Sequence, residues 1–313
     1  MILTKRRAGP ARALLPKWLV MDRYLYLMLI PGLLSLLIFS YIPMGGIIIA
    51  FKEYNIFKGF LGSDWVGLDN FNKLFITRNF WNVFRNTFLI SLYKLIFGFP
   101  VPLILSLLLN ELRNKAFKRT IQTVLYLPHF ISWVIVGGIM LSLFSINYGL
   151  VGEFFKITGM TPVNVLASQK YFRSILVLTD IWKGAGWGTI IYLAAFSQIN
   201  PNLYEAAVID GAGRLRRMLN ITLPSISGVI SLLLVLSIGS LMSAGFEQIL
   251  VMQNSMVLDV SDIFDTYVLR TGLGRQDYSF ATAVNLFKSV IGTALILFSD
   301  FFSRKLTGEG LFT

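Results

Sequence analysis

Read from end to end, the chain gathers its apolar positions into six long blocks separated by polar segments. The blocks cover residues 24–51 (YLYLMLIPGLLSLLIFSYIPMGGIIIAF), 82–109, 119–145, 171–197, 223–246 and 279–302. A bilayer core takes about 20 mostly apolar residues per helix. Each block meets that length, is too long for a strand, and lacks the strict alternation of a membrane barrel. The pattern therefore predicts an all-α membrane protein with six transmembrane helices. The first block follows a basic N-terminal region, as a signal peptide would. It is much longer than the roughly 7–15 apolar residues of such a signal and has no A-x-A-like cleavage site, so it reads as a retained helix.

Composition supports this frame: 55% of the 313 residues are hydrophobic and 14% charged, with a mean hydropathy of +0.67. The net charge of +12 is not gathered on a soluble module, which argues against a nucleic-acid partner. Its distribution reports orientation instead, because loops on the cytoplasmic side hold the excess of Lys and Arg. Lys5, Arg6, Arg7, Arg12, Lys17 and Arg23 precede the first block, and Arg113, Lys115, Lys118 and Arg119 follow the second. Arg214, Arg216 and Arg217 follow the fourth block, and Arg304 and Lys305 the sixth. The alternate loops are longer and poorer in bases, so both termini are expected in the cytoplasm and loops 52–81 and 247–278 outside it. The chain then divides into a cytoplasmic tail (1–23), a first helix with an extracytoplasmic loop (24–81), a five-helix core (82–303) and a cytoplasmic tail (304–313).

Side-chain chemistry is sparse. There is no cysteine and a single histidine, His129, so neither a disulfide nor a zinc site can be built. His129 lies beside Pro128 inside a block and reads as a packing or kink residue. No G-x-x-x-x-G-K-[ST] phosphate loop occurs, so the chain has no visible means of binding ATP. The GAGWG run from Gly184 to Gly188 lies within a block and reads as close helix packing. Asn220 heads a formal glycosylation sequon that has no meaning on the cytoplasmic side.

One cytoplasmic segment carries more information. In NPNLYEAAVIDGAGRLRRMLNITLP (200–224), Asn200 can cap a helix, Pro201 suits its first position and Glu205 its early turns. Asp210-Gly211 and Gly213 are breakers. The segment is expected to form a short helix, an elbow and a return to the membrane. Ala206 and Ala207 would let another backbone approach, with Leu203, Tyr204 and Ile209 as apolar anchors. An amphipathic helix lying on the bilayer surface is the alternative reading.

Glu205-Ala206-Ala207, Asp210-Gly211-Ala212 and Ile221-Thr222-Leu223-Pro224 closely resemble the EAA loop of permease subunits of bacterial ABC importers. SDWVGLDNFNKLF (63–75), FGFPVPLILSLLLNELRNKAFKRTIQTVLYLPHFISWV (97–134), DIWKGAGWGTIIYLAAF (180–196), GFEQILVMQN (245–254), DIFDTYVLR (262–270) and YSFATAVNLFKSV (278–290) are similar to the polysaccharide-type branch of carbohydrate-uptake permeases, and most of all to the permeases of alginate importers. The resemblance implies the type I ABC importer permease fold, with one helix before a five-helix core. It implies a non-catalytic subunit of the bacterial inner membrane that pairs with a second, homologous permease as a heterodimer. Two ATPase subunits, which bind ATP and Mg, and an extracytoplasmic solute-binding protein would complete the importer, and this chain would hold no cofactor. The 200–224 loop would be the coupling helix seated in a groove of an ATPase, through Tyr204, Glu205, Ala206, Ala207, Ile209, Asp210, Gly211 and Arg214.

Charged residues inside the blocks bear on cargo, because charge in a bilayer is costly and usually faces a cavity or a partner. Asp180 and Lys183 can pair on one helix face, and Arg85 and Arg173 can snorkel to headgroups. Lys94 and Lys288 sit deeper and are the candidate contacts for an anionic cargo, such as an oligosaccharide carrying uronates, with Lys183 also a candidate on the substrate pathway. Trp182, Trp187 and Tyr192 are candidates to stack on sugar rings, and Asn285 to bond hydroxyls; packing against neighbours is the other reading of the aromatics. Acids and aromatics in loops 52–81 and 247–278 suit docking of a binding protein, or are simply solvated. An ion-coupled secondary sugar transporter is the rival class. The blocks show no internal repetition and few acids for ion coupling, which counts against it.

Overall fold

The computed structural model describes residues 23–159 and 161–307. The remaining bases of the N-terminal tail and the end of the C-terminal tail, expected in the cytoplasm, lie outside the described residues. The chain forms two compact units, residues 1–48 and 49–313. The described part of the first is most of helix α1 (Tyr24–Phe51). Its large apolar side chains, from Tyr24 to Met44, are exposed, as suits a helix whose solvent is hydrocarbon.

The second unit begins with a hairpin in which β1 (Lys52–Glu53) pairs antiparallel with β2 (Asp64–Trp65). Helix α2 (Asp69–Ile76) follows. The 52–81 segment, expected to belong with the first helix, is fastened within this unit. Asn70 Nδ2 donates to Ala50 O at 2.9 Å and to Lys52 O at 3.1 Å, and the Tyr54 amide donates to Ser279 Oγ at 2.8 Å. Leu74 of α2 is buried with Phe80, Val83, Phe264 and Phe280.

Helix α3 (Arg78–Asn110) is long and apolar enough to span a membrane. A π turn at Lys94–Gly98 precedes Pro100 and Pro102, where missing amide hydrogens interrupt the helical ladder. The blocks at 119–145 and 223–246, each expected as one helix, are both broken. Helices α4 (Lys115–Phe130) and α5 (Trp133–Leu143) meet at 100°. Pro128 lies in a 3-10 turn, Ile131 is extended, and Ser132 starts α5 by accepting from the Ile135 amide at 3.3 Å. After helix α6 (Leu150–Thr158) comes α7 (Gln169–Phe196), 28 residues long and therefore about 42 Å. Helix α8 (Pro201–Ile209) leads to α9 (Arg214–Ser225) and α10 (Ser227–Met242), which are bent by 65° just after Pro224.

Among the described residues, three helices are long and apolar enough to span, or five elements when each bent pair counts as one. The sixth expected span is α7, which is long enough but carries Lys170, Arg173, Asp180 and Lys183. The six-helix architecture stands, with two spans broken.

Loop 247–278 departs most from expectation. Helices α11 (Phe246–Met252) and α12 (Phe264–Leu269) fold back into the protein. Ile249, Met252, Val257 and Ile263 are buried with Ile90, Val136, Phe172 and Leu176. Apolar residues three and four apart in FEQILVM and IFDTYVL give short helices a face to bury. The acids go with them: Asp262 pairs with Arg270 and Asp265 with Lys288. A solvated docking loop survives chiefly as residues 273–277, which are exposed. The last helix, α13 (Tyr278–Thr307), completes the fold.

Candidate functional site

The elbow between α7 and α9 is built as its residues dictate. Asn200 Oδ1 accepts from the Asn202 amide at 3.0 Å, and Pro201 takes the first helical position. At the other end, the Gly211 amide donates to Val208 O at 3.0 Å and the Ala212 amide to Ala207 O at 2.8 Å. These crossed bonds are the Schellman stop, with Gly211 left-handed at φ +75°. Gly213, the second expected breaker, is extended and caps α9.

The elbow displays Glu205, Ala206 and Asp210 to the surroundings. It also displays Ile209 at 86% exposure, with Val208 and Leu215 exposed beside it. Tyr204, expected as an outward anchor, is half-buried: its hydroxyl lies 2.9 Å from Thr222 Oγ1 and ties α8 to α9. Ala207 is half-buried too. Arg214 Nε lies 3.8 Å from Glu111 Oε2, linking the elbow to the turn after α3.

A second constellation lies inside the bundle. Lys94 Nζ donates to Asp180 Oδ1 at 3.2 Å, to Ala244 O at 3.1 Å and to Gln248 Oε1. Gln248 is fully buried, and its Nε2 donates to Leu176 O and Thr179 Oγ1, both at 2.7 Å. The turn that presents Ala244 O runs through positive φ at Ala244 (50°) and Gly245 (85°). A Cβ on Gly245 would lie 2.4 Å from Lys94 Nζ. Beside this network is a cavity of about 320 Å³, lined by Ser91, Asp180, Gly184, Ser237, Ser240 and Ser243 among others.

Asp180 is thus paired with Lys94, not with Lys183 as the i, i+3 spacing suggests. Lys183 Nζ donates to His129 O at 2.8 Å, a carbonyl at the break between α4 and α5, and lies over the Trp133 ring. The His129 ring stacks on Trp187 at 4.5 Å with planes 3° apart. Trp187 and Trp182 are each nearly half exposed. The GAGWG run packs closely, as read from sequence: a Cβ at Gly186 would lie 1.9 Å from Leu125 O, and one at Gly188 2.9 Å from Pro102.

Other expected contacts move. Tyr192 is buried among Leu107, Ala195, Phe196 and Ile226, so no ring face is left for a sugar. Lys288 pairs with Asp265, an acid the sequence pattern places in a loop, so neither deep lysine is an uncompensated charge. Asn285 is exposed and lines another cavity of about 370 Å³ with Asp265, Tyr278 and Thr282. Arg173 does not reach out to headgroups through both ends of its guanidinium: Nε donates to Val260 O at 3.0 Å and Nη2 to Asn86 Oδ1 at 2.7 Å. Gln248, Asp265 and the cavity serines escape a reading of the sequence. Ser237 and Ser240, three apart in an apolar span, were the available signal.

On the hairpin before α2, Phe57 is 99% and Leu61 95% exposed. The adjacent Lys58 Nζ lies 2.7 Å from Asp64 Oδ2. That hydrogen bond holds the Asp64 carboxyl below the ordinary carboxylate range and the Lys58 amine above its own.

A helical bundle with broken spans, a polar interior cavity and a capped elbow outside it defines a multi-pass membrane transport component. Residues 98–308 match the family of binding-protein-dependent transport system inner membrane components, and the chain belongs to that family. It is 47% identical to protein LplB of Bacillus subtilis (strain 168), over 93% of this chain and 92% of the relative. It is 45% identical to the polygalacturonan/rhamnogalacturonan transport system permease protein YteP of the same organism, over 94% and 92%. A chain in the crystal structure of a bacterial alginate ABC transporter, in complex with an alginate pentasaccharide-bound periplasmic protein, superposes with a TM-score of 0.87. Identity there is 38%, covering 94% of this chain and 99% of that one. The fold is that of a type I ABC importer permease.

Proposed function

We propose that this chain is the permease subunit of an ATP-driven, binding-protein-dependent importer of acidic oligosaccharides, uronate-containing ones such as alginate fragments. It works as a heterodimer with a second permease in the cytoplasmic membrane, both termini inside, with two ATPase subunits that bind ATP and Mg. The observation that carries this reading is the elbow. A capped, sharply terminated α8 that presents Ile209 and Val208 outward is a rigid knob suited to a groove on another protein. When the ATPases close on ATP, the seated knob moves and the permease pair changes the side on which its cavity opens. The Schellman stop and the Tyr204–Thr222 bond resist bending, so motion passes to α9 and α7.

The cavity beside Lys94 and Asp180 supports a carbohydrate pathway, because serine hydroxyls match sugar hydroxyls and the exposed Trp182 and Trp187 offer ring faces. The acidic class rests on the cargo named for YteP and for the alginate transporter. Lys94 and Lys288, both already paired with acids, contribute to it only by exchanging partners. An ion-coupled transporter has less support, since the membrane acids Asp180 and Asp300 are held by Lys94 and Arg304.

The test is co-purification followed by reconstitution with the binding protein in proteoliposomes. An ATPase subunit is expected with the chain, and uronate oligosaccharides are expected to enter faster than neutral ones in an ATP-dependent manner. Transport without ATP would overturn the importer reading. Equal uptake of both sugars would overturn the acidic class alone.

A further inference from the structure

Helices α3 and α7 run parallel, as two polar contacts in register demonstrate: Asn86 meets Arg173 at 2.7 Å, and Lys94 meets Asp180 at 3.2 Å, eight residues on in α3 and seven in α7. Beside this seam is an open groove of about 660 Å³, lined by Gln169, Lys170, Arg173 and Ser174 at one end and by Tyr93, Phe97, Val177, Leu178 and Ile181 along the rest. Arg85 is not in the lining itself but adjoins Asn86, the partner of Arg173, and so stands at the same end as Lys170 and Arg173. None of the lining residues is acidic. Arg173 spends two of its nitrogens on Asn86 and Val260. Arg85 and Lys170 are exposed, and neither has a carboxylate partner among the described residues.

The groove is amphiphilic along its length. Its cationic end coincides with the start of α7 and lies near that of α3, where a spanning helix leaves the hydrocarbon. Its apolar floor runs from Val177 toward Ile181 into the depth of the bundle, with Leu178 and Phe97 more than half exposed. A sugar would leave that floor without hydrogen bonds, and a free anion would leave it empty. A molecule with a phosphate at one end and hydrocarbon at the other satisfies both halves.

We propose that this groove is a binding site for an anionic phospholipid, with Arg85, Lys170 and the Gln169 amide around the phosphate and an acyl chain along Phe97, Leu178 and Ile181. Arg173 is the fixed member of the cluster, held in place by its two bonds so that its remaining nitrogen faces the head. The site adjoins the serine-lined cavity, with which it shares Ile181, but its cationic end has no residue in common with that cavity.

Native mass spectrometry of the detergent-purified transporter complex tests this, with titration by phosphatidylglycerol, phosphatidylcholine of the same chains, inorganic phosphate and an acidic oligosaccharide. Phosphatidylglycerol is expected to bind at least tenfold tighter than phosphatidylcholine. Arg85→Gln with Lys170→Gln, at two exposed positions, is expected to abolish that preference. Leu178→Asn is expected to weaken phosphatidylglycerol binding as well. Equal binding of the two lipids, or an unchanged preference in the double variant, would overturn the proposal. Displacement of the lipid by millimolar phosphate would assign the cluster to a free anion, and displacement by the oligosaccharide to cargo; either overturns it.

Discussion

Lys94 and Asp180 are joined at 3.2 Å, connecting the π turn of α3 to the middle of α7, and Lys94 is held at the same time by the Ala244 carbonyl and the Gln248 side chain. The pair bridges elements far apart in sequence, and Lys94 is largely withdrawn from solvent, its side chain 12% exposed against 38% for Asp180. Removing one partner strands the other. Lys94→Met is expected to lower stability by about 3 kcal/mol, near the lower end for a broken buried pair because Asp180 opens on the cavity. Lys94→Met with Asp180→Leu is expected to recover at least half of that loss. Thermal unfolding of the purified protein in detergent checks both, and a single variant as stable as the parent would dissolve the argument.

The glycines of GAGWG divide by what faces them. At Gly186 a methyl group would collide with the Leu125 carbonyl, a backbone atom that cannot swing aside, whereas at Gly184 nothing lies within 4 Å. Gly186→Ala is therefore expected to push α4 from α7 and cost about 1–3 kcal/mol or more. Gly184→Ala should be neutral or stabilising by up to about 1 kcal/mol, since alanine favours the helix. Comparing the two melting temperatures in the same detergent decides the matter, and similar losses would contradict close packing of Gly186 on Leu125.

Hydrophobic blocks and cap residues made the architecture legible: α8 begins at Pro201 and ends at Ile209 where Asn200 and the Asp210-Gly211 pair require. Broken spans were less legible. Block length cannot distinguish one helix from two that meet at 100°, and only Pro128 marked the place. Loop 247–278 misled because its acids, read one by one, signify solvent, while Asp262 and Asp265 are sequestered by Arg270 and Lys288. Pairing of charges is a three-dimensional fact. Asp180 has Lys183 on its own helix face, yet its partner comes from α3, and Lys183 goes to the carbonyl freed at His129. Tyr192 failed as a sugar platform for a similar reason, since an aromatic within a span reads the same whether it faces a cavity or Phe196.

Left-handed backbone at the elbow yields a local prediction. Gly211 has φ +75°, and no neighbouring atom lies within 4 Å of where its Cβ would be, so a side chain there would suffer from conformation alone. Gly211→Ala should cost about 1 kcal/mol and fray the Schellman stop. Gly213→Ala, at φ −66° and in open space, should be tolerated within about 0.5 kcal/mol. Hydrogen exchange at the Gly211 and Ala212 amides would report the difference, with faster exchange expected only in the first variant.

Ile209 and Tyr204 separate docking from bracing on one short helix. Ile209 is 86% exposed and contributes little to the fold of this chain, so Ile209→Asp should leave the melting temperature of the isolated chain unchanged. If Ile209 is an anchor in an ATPase groove, burying a carboxylate there should cost about 2 kcal/mol of docking or more, equivalent to at least tenfold in affinity. Binding-protein-stimulated ATP hydrolysis in proteoliposomes should fall accordingly. Tyr204→Phe removes the bond to Thr222 while keeping the ring. It should cost about 1 kcal/mol of stability and loosen coupling less than the Ile209 change does. Stimulated hydrolysis that survives Ile209→Asp intact would place the contact with the ATPase elsewhere and leave α8 a surface helix of the bilayer.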